Sequence, residues 1–256
     1  MPCTDQDAVL NTFAIRSFRD TADRDYVHAR LAYRARLIPQ FLWSSLHCLE
    51  KYAKGILLLN RLPAKKLKHE VTGALSILAQ HGRFKIDLSD TARHFVERLE
   101  NGAEFRYFEV SYVNQRFDIA RLDTAVSELR RYCQVLDWER KTHEGPRNLL
   151  APMLARIKYA ADNSKRDTCI MSGWLESVLE DKTHAARGAL IWQNLYFGTS
   201  HRSKVKLHGF FEGGNAPLYM HPEILDEVLK YVYLPNRIVK EWREELSRKH
   251  SGELHA

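Results

Sequence analysis

The sequence predicts a mainly α protein: an antiparallel helical bundle over residues 17–136, then a helical C-terminal region over 147–248, with room for one short β-hairpin. Three observations lead there. Apolar residues recur at three- and four-residue steps through most of the chain, the period of a helix with one buried face. Two such runs are joined by a short basic turn opened by Pro63, which makes them antiparallel neighbours. Only residues 204–208 alternate strictly, the period of a strand.

In chain order, residues 1–16 read as a tail in which residues 7–13 can form a short helix. Residues 21–37 read as the first core helix, with Ala22, Tyr26, Ala29 and Tyr33 in phase and Arg24, Arg30, Arg34 and Arg36 on its other faces. Residues 39–61 form the central rod. They hold no internal proline, Pro39 suits a first-turn position, and Phe41, Leu42, Leu46, Leu49, Ala53, Ile56 and Leu57 keep helical phase. At 1.5 Å per residue this rod is roughly 33 Å long.

One stripe of the rod is polar. Glu50, Lys54 and Arg61 fall within about 40° of one another on a helical wheel, and Glu50 precedes Lys54 by the spacing of a favourable ion pair. Either the stripe is a solvated edge, or it is a seam between helices that holds a ligand or positions the returning helix. After the turn with Lys65, Lys66 and Lys68, a return helix opens at His69 and runs to about His81, where Gly82 closes it.

Ser89 and Asp90 signal the start of a helix over residues 91–99, and Asn101-Gly102 stops it. Residues 105–113, rich in aromatic and β-branched types, read as an extended segment or the entry to another helix. Residues 118–136 are the cleanest amphipathic helix, with Ile119, Leu122, Ala125, Val126, Leu129 and Cys133 on one face.

The polar, Gly-Pro-ended residues 137–146 mark a linker or domain edge. Helices then follow over 147–162, 168–181 and 184–197. Residues 204–208 suggest a strand or hairpin with one basic face. The helix from Pro222 is split or kinked by Pro235, and residues 249–256 form a tail.

Composition narrows the function classes. Hydrophobic content of 45% with 28% charged residues is ordinary for a globular chain. The longest aliphatic run, Ile56 to Leu59, is far short of a membrane span, and no signal peptide is expected. Cys3, Cys48, Cys133 and Cys169 are widely spaced and match no zinc pattern. They read as reduced thiols of a cytoplasmic protein, and no metal site or cofactor is expected. A net charge of +7 favours encounter with polyanions. No phosphate-cradling Gly-Lys-Ser/Thr loop, G-x-S-x-G elbow or H-E-x-x-H motif is present.

The run from Arg24 through the return helix resembles the HEPN superfamily of helical nucleotide-binding domains. The likeness rests on Glu50-Lys51 followed by Lys54 and an aliphatic run, then His69-Glu70-Val71 at the next helix, and it covers about half of the chain. The resemblance implies a nucleotide-, RNA- or partner-binding module with Glu50, Lys51, Lys54, Arg61 and His69 around the site. It also implies a homodimer and, for some members, a nucleotidyltransferase-type partner.

Other members are metal-independent ribonucleases that use an Arg followed by a His after four to six intervening residues. The guanidinium holds the phosphate and the imidazole exchanges protons. The helix over residues 118–136 has Arg121, Arg130 and Arg131 but no histidine. Three pairs with the required spacing occur elsewhere, about the number chance gives for 24 Arg and 12 His. Arg202 and His208 are the internal pair, and the alternative of a ribonuclease rests on them. A structural or dimerisation subunit is the third expectation.

Overall fold

The computed structural model describes residues 5–102, 111–162, 171–198 and 204–250, and the chain is mainly helical. The first rod runs unbroken through α1 (Asp5–Phe13), a π-helical stretch (Ala14–Arg19) and α2 (Asp20–Arg34). Residues 5–16 are therefore helix throughout, extending the short helix expected over 7–13. Arg61, just past the next helix, fastens them: its guanidinium donates to Asp7 Oδ1 and Asn11 Oδ1, both at 3.0 Å.

The central rod is α3 (Ile38–Leu59), and α2 lies along it with the most extensive packing among the described elements. A Cβ at Gly55 would sit 3.0 Å from Phe18 Cβ, so a glycine there lets the first rod approach α3 closely. Both α2 and α3 end alike. Arg36 and Arg61 take left-handed φ of 57°, Leu37 N–H bonds Ala32 O, and Leu62 N–H bonds Leu57 O. This 6→1 closure usually uses glycine at the left-handed position.

The chain then returns through α4 (Val71–His81), α5 (Asp90–Asn101) and α6 (Asp118–Arg130). Ser89 Oγ accepts the Ala92 N–H at 3.3 Å, as an N-cap should. Gly82 ends α4 with φ of −84°, so no left-handed turn is involved; a Cβ there would lie 2.4 Å from Leu78 O. The core is continuous across these helices: Tyr26 and Tyr33 from α2, Phe41, Leu49 and Ile56 from α3, Phe95 from α5, and Leu122 and Leu129 from α6.

Two ionic knots are sealed inside this core. Asp23 accepts from Tyr52 Oη at 2.5 Å and from Arg130 Nε at 2.7 Å, and Arg130 reaches on to Glu176 at 2.6 Å. Asp123 accepts from Tyr26 Oη at 2.6 Å and from Arg30, whose Nε also donates to Ala189 O at 3.0 Å. Each buried charge is paired and hydrogen-bonded, the condition under which such groups are tolerated.

The C-terminal half departs further from expectation. Residues 137–146, read as a linker, belong to a hairpin of β2 (Glu139–Thr142) and β3 (Gly145–Asn148), following β1 (Tyr112–Asn114) earlier in the chain. Gly145 has φ of +115°, and Thr142 Oγ1 donates to Gly145 O at 2.7 Å, which closes the turn. Helix α7 (Leu150–Asp162) follows, then α8 (Trp174–Glu180) and α9 (Arg187–Ile191). Leu175, Val178, Ala189 and Leu190 enter the same core as α2 and α3, so this part completes the bundle.

The helix expected over 184–197 stops at Ile191. Asn194 intervenes: its Nδ2 donates to Tyr26 Oη and Leu190 O, and its Oδ1 accepts from the Tyr196 and Phe197 N–H groups, all at 2.8–2.9 Å. Residues 205–208 form no ladder. Exposure nonetheless alternates along them, with Lys204, Lys206 and His208 out and Val205 and Leu207 partly covered. The neighbouring β4 (Glu212–Gly214) pairs antiparallel with β1.

Beyond it come α10 (Pro217–Met220), a 3-10 turn (Pro222–Ile224), α11 (Leu225–Val228) and α12 (Asn236–His250); the helix expected from Pro222 ends at Val228, seven residues before Pro235, and resumes just after that proline. Ala216, Leu218, Leu225, Leu234, Ile238 and Trp242 form a second, smaller core there. No helix among the described residues is long and apolar enough to cross a membrane.

Candidate functional site

The polar stripe of α3 meets the turn that follows it. Trp43, His47, Glu50 and Lys54 recur at three- and four-residue steps, so they share one face of the helix, and all four are half-buried. Leu62, Ala64 and Leu67 pack against the core and anchor the turn, while Lys65, Lys66, Lys68 and His69 stay exposed.

The start of α4 is fixed from another helix. Glu100 on α5 accepts the Val71 and Thr72 N–H groups through Oε1, the latter at 2.8 Å, and the Thr72 hydroxyl through Oε2 at 2.7 Å. These are orphan donors of a helix N-terminus, which a carboxylate satisfies well. His69 lies two residues before this anchored point, in the loop rather than in the helix where the sequence suggests it.

The Glu50 carboxylate is the hub. Oε1 is 2.5 Å from Lys54 Nζ and Oε2 is 3.0 Å from His69 Nδ1. Lys54 Nζ also donates to Lys68 O at 2.8 Å, stitching helix to turn. Three rings gather around it. His47 lies 4.2 Å from Trp43 between centroids, His69 lies 5.4 Å from Trp43, and the two imidazoles stack 5.8 Å apart at 20°. Burial lowers the His47 pKa from its ordinary value, with Glu50 and Asp25 opposing that shift.

Of the residues singled out from sequence, the structure gathers Glu50, Lys54 and His69. Lys51 turns aside to Asp25 of α2 at 2.5 Å. Arg61 lies past the end of α3, and its guanidinium serves α1. His208 is exposed in an extended segment, its backbone N–H donating to Gln193 Oε1 at 2.6 Å, so it does not occupy the late helix expected of a ribonuclease pair. Arg202 lies outside the described residues.

Sequence reasoning missed Trp43 and His47. Their signal was present: they lie seven and three residues before Glu50 on the stripe already identified. No metal-ligand set was expected, yet one donor atom from each of His47, Glu50 and His69 lies within 4.8 Å of the others. Comparison of the chain with family models, curated proteins and solved structures finds no match.

Proposed function

We propose that the chain is a non-catalytic, HEPN-type helical module that binds a nucleotide or RNA where the α3–α4 hairpin closes. The observation that carries this reading is the meeting of Glu50, Lys54 and His69 beside three exposed lysines, Lys65, Lys66 and Lys68. The lysines supply phosphate contacts. Trp43 and the two imidazoles supply faces on which a base stacks. Glu50, held at both oxygens, keeps the turn against the helix instead of acting as a base. The charge of +7 adds long-range attraction for a polyanion.

Fluorescence anisotropy with a single-stranded RNA oligonucleotide and with ATP, each at two salt concentrations, tests the reading. Affinity should fall steeply as salt rises. Replacing Lys65, Lys66 and Lys68 by alanine together should flatten the salt slope by about 0.7 for each phosphate no longer neutralised. Absence of binding to either ligand at low salt would overturn it.

A further inference from the structure

Two imidazoles and a carboxylate converging within one small sphere is more than a hydrogen-bonded pair requires. His47 and Glu50 stand three residues apart on α3, so both project from one helical face, and His69 comes to them from the turn. We propose that His47, Glu50 and His69 form a binding site for one first-row divalent metal ion of the Zn2+ class. This proposal shares side chains with the nucleotide- or RNA-binding reading but does not rest on it.

The donor types suit such an ion. Imidazole and a single carboxylate match zinc and its neighbours in the series, whereas magnesium asks for an all-oxygen octahedron. Donors bound tetrahedrally at 2.0–2.2 Å stand roughly 3.3–3.6 Å from one another. His69 Nδ1 and Glu50 Oε2 are 3.0 Å apart, and all three donors lie within 4.8 Å, so small side-chain rotations reach that spacing. The near-parallel imidazoles must turn so that their lone pairs converge. His69, exposed on the turn, has the freedom to do so.

The surroundings support the ligands. Lys54 holds Glu50 Oε1, which leaves Oε2 facing the imidazoles, the part an outer-shell group plays around a metal carboxylate. Lys51 is paired with Asp25, so its charge is largely offset beside His47. Glu100 fixes the start of α4 and with it the backbone that carries His69. Three protein ligands leave a fourth position open to solvent, on the side of the exposed turn.

Titrating the EDTA-stripped full-length chain with Zn2+ against a chromogenic chelator, without nucleic acid, tests the proposal. One Zn2+ should bind per chain, Co2+ should give the intense visible bands of a four-coordinate site, and excess Mg2+ should not compete. His69→Ala and Glu50→Gln, each checked for native helicity, should weaken binding by more than the 10- to 100-fold typical of losing an outer-shell partner. Lys141→Ala, on the exposed β2 strand, should leave it unchanged. Failure to bind one equivalent of Zn2+, unaltered affinity in His69→Ala, or equal competition by Mg2+ would overturn the assignment. Since RNA is absent, none of these results bears on RNA binding.

Discussion

Asp23 shows how much a single side chain can join. It accepts hydrogen bonds from Tyr52 on α3 and Arg130 on α6, and a longer one from the Leu175 N–H on α8 at 3.4 Å. Asp23→Ala leaves the buried Arg130 facing Glu176 without its second carboxylate, so it should lower stability to urea by about 3–5 kcal/mol. A loss under about 1 kcal/mol would show that the knot is dispensable. Cysteine reactivity reports on the same interior. Burial pushes the Cys48 and Cys133 thiols well above their usual pKa, and nearby aspartates push the same way. Iodoacetamide at pH 8 followed by peptide mapping should therefore leave both unmodified in the native chain and label both in denaturant. Native labelling at the denatured rate would contradict the burial.

At the scale of elements, the α3–α4 hairpin depends on a carboxylate from outside it. Glu100→Ala removes the acceptor for the first N–H groups of α4 and should lower stability by about 1–2 kcal/mol, read by urea unfolding. It should also loosen His69 and weaken RNA binding while every lysine of the turn stays in place. An unchanged RNA affinity would separate the helix start from the site. Much of this hairpin was legible in the sequence, because Phe41, Leu46, Leu49 and Ala53 keep helical phase and Pro63 reverses the chain. What was not legible were ends decided by distant partners. Asn194 stops α9 by bonding Tyr26, 168 residues away, and no local pattern reports a contact at that separation. The hairpin over residues 139–148 was likewise hidden, since its strands are exposed on both faces and show no alternation of polarity.

At the scale of the molecule, the apolar side chains of the described residues meet in two cores of unequal size. The bundle draws on α2 through α6 and on α8 and α9, while Leu218, Leu225, Ile238 and Trp242 close a small cluster of their own. Beyond residues 137–146, α8 and α9 supply Leu175 and Leu190 to the bundle core. Within this frame the candidate site was half visible. Glu50 and Lys54 could be read from one helix, and His69 was placed nearby by the resemblance. His47 and Trp43 became informative once the turn folded back over them.

The proposed role of the hairpin is probed most sharply by a heteronuclear NMR titration of the isotope-labelled chain with a short single-stranded RNA. Amide shifts should concentrate at Trp43, His47, Glu50, Lys54 and residues 65–71. Shifts confined to residues 204–208 or to α12, with the hairpin silent, would contradict that role.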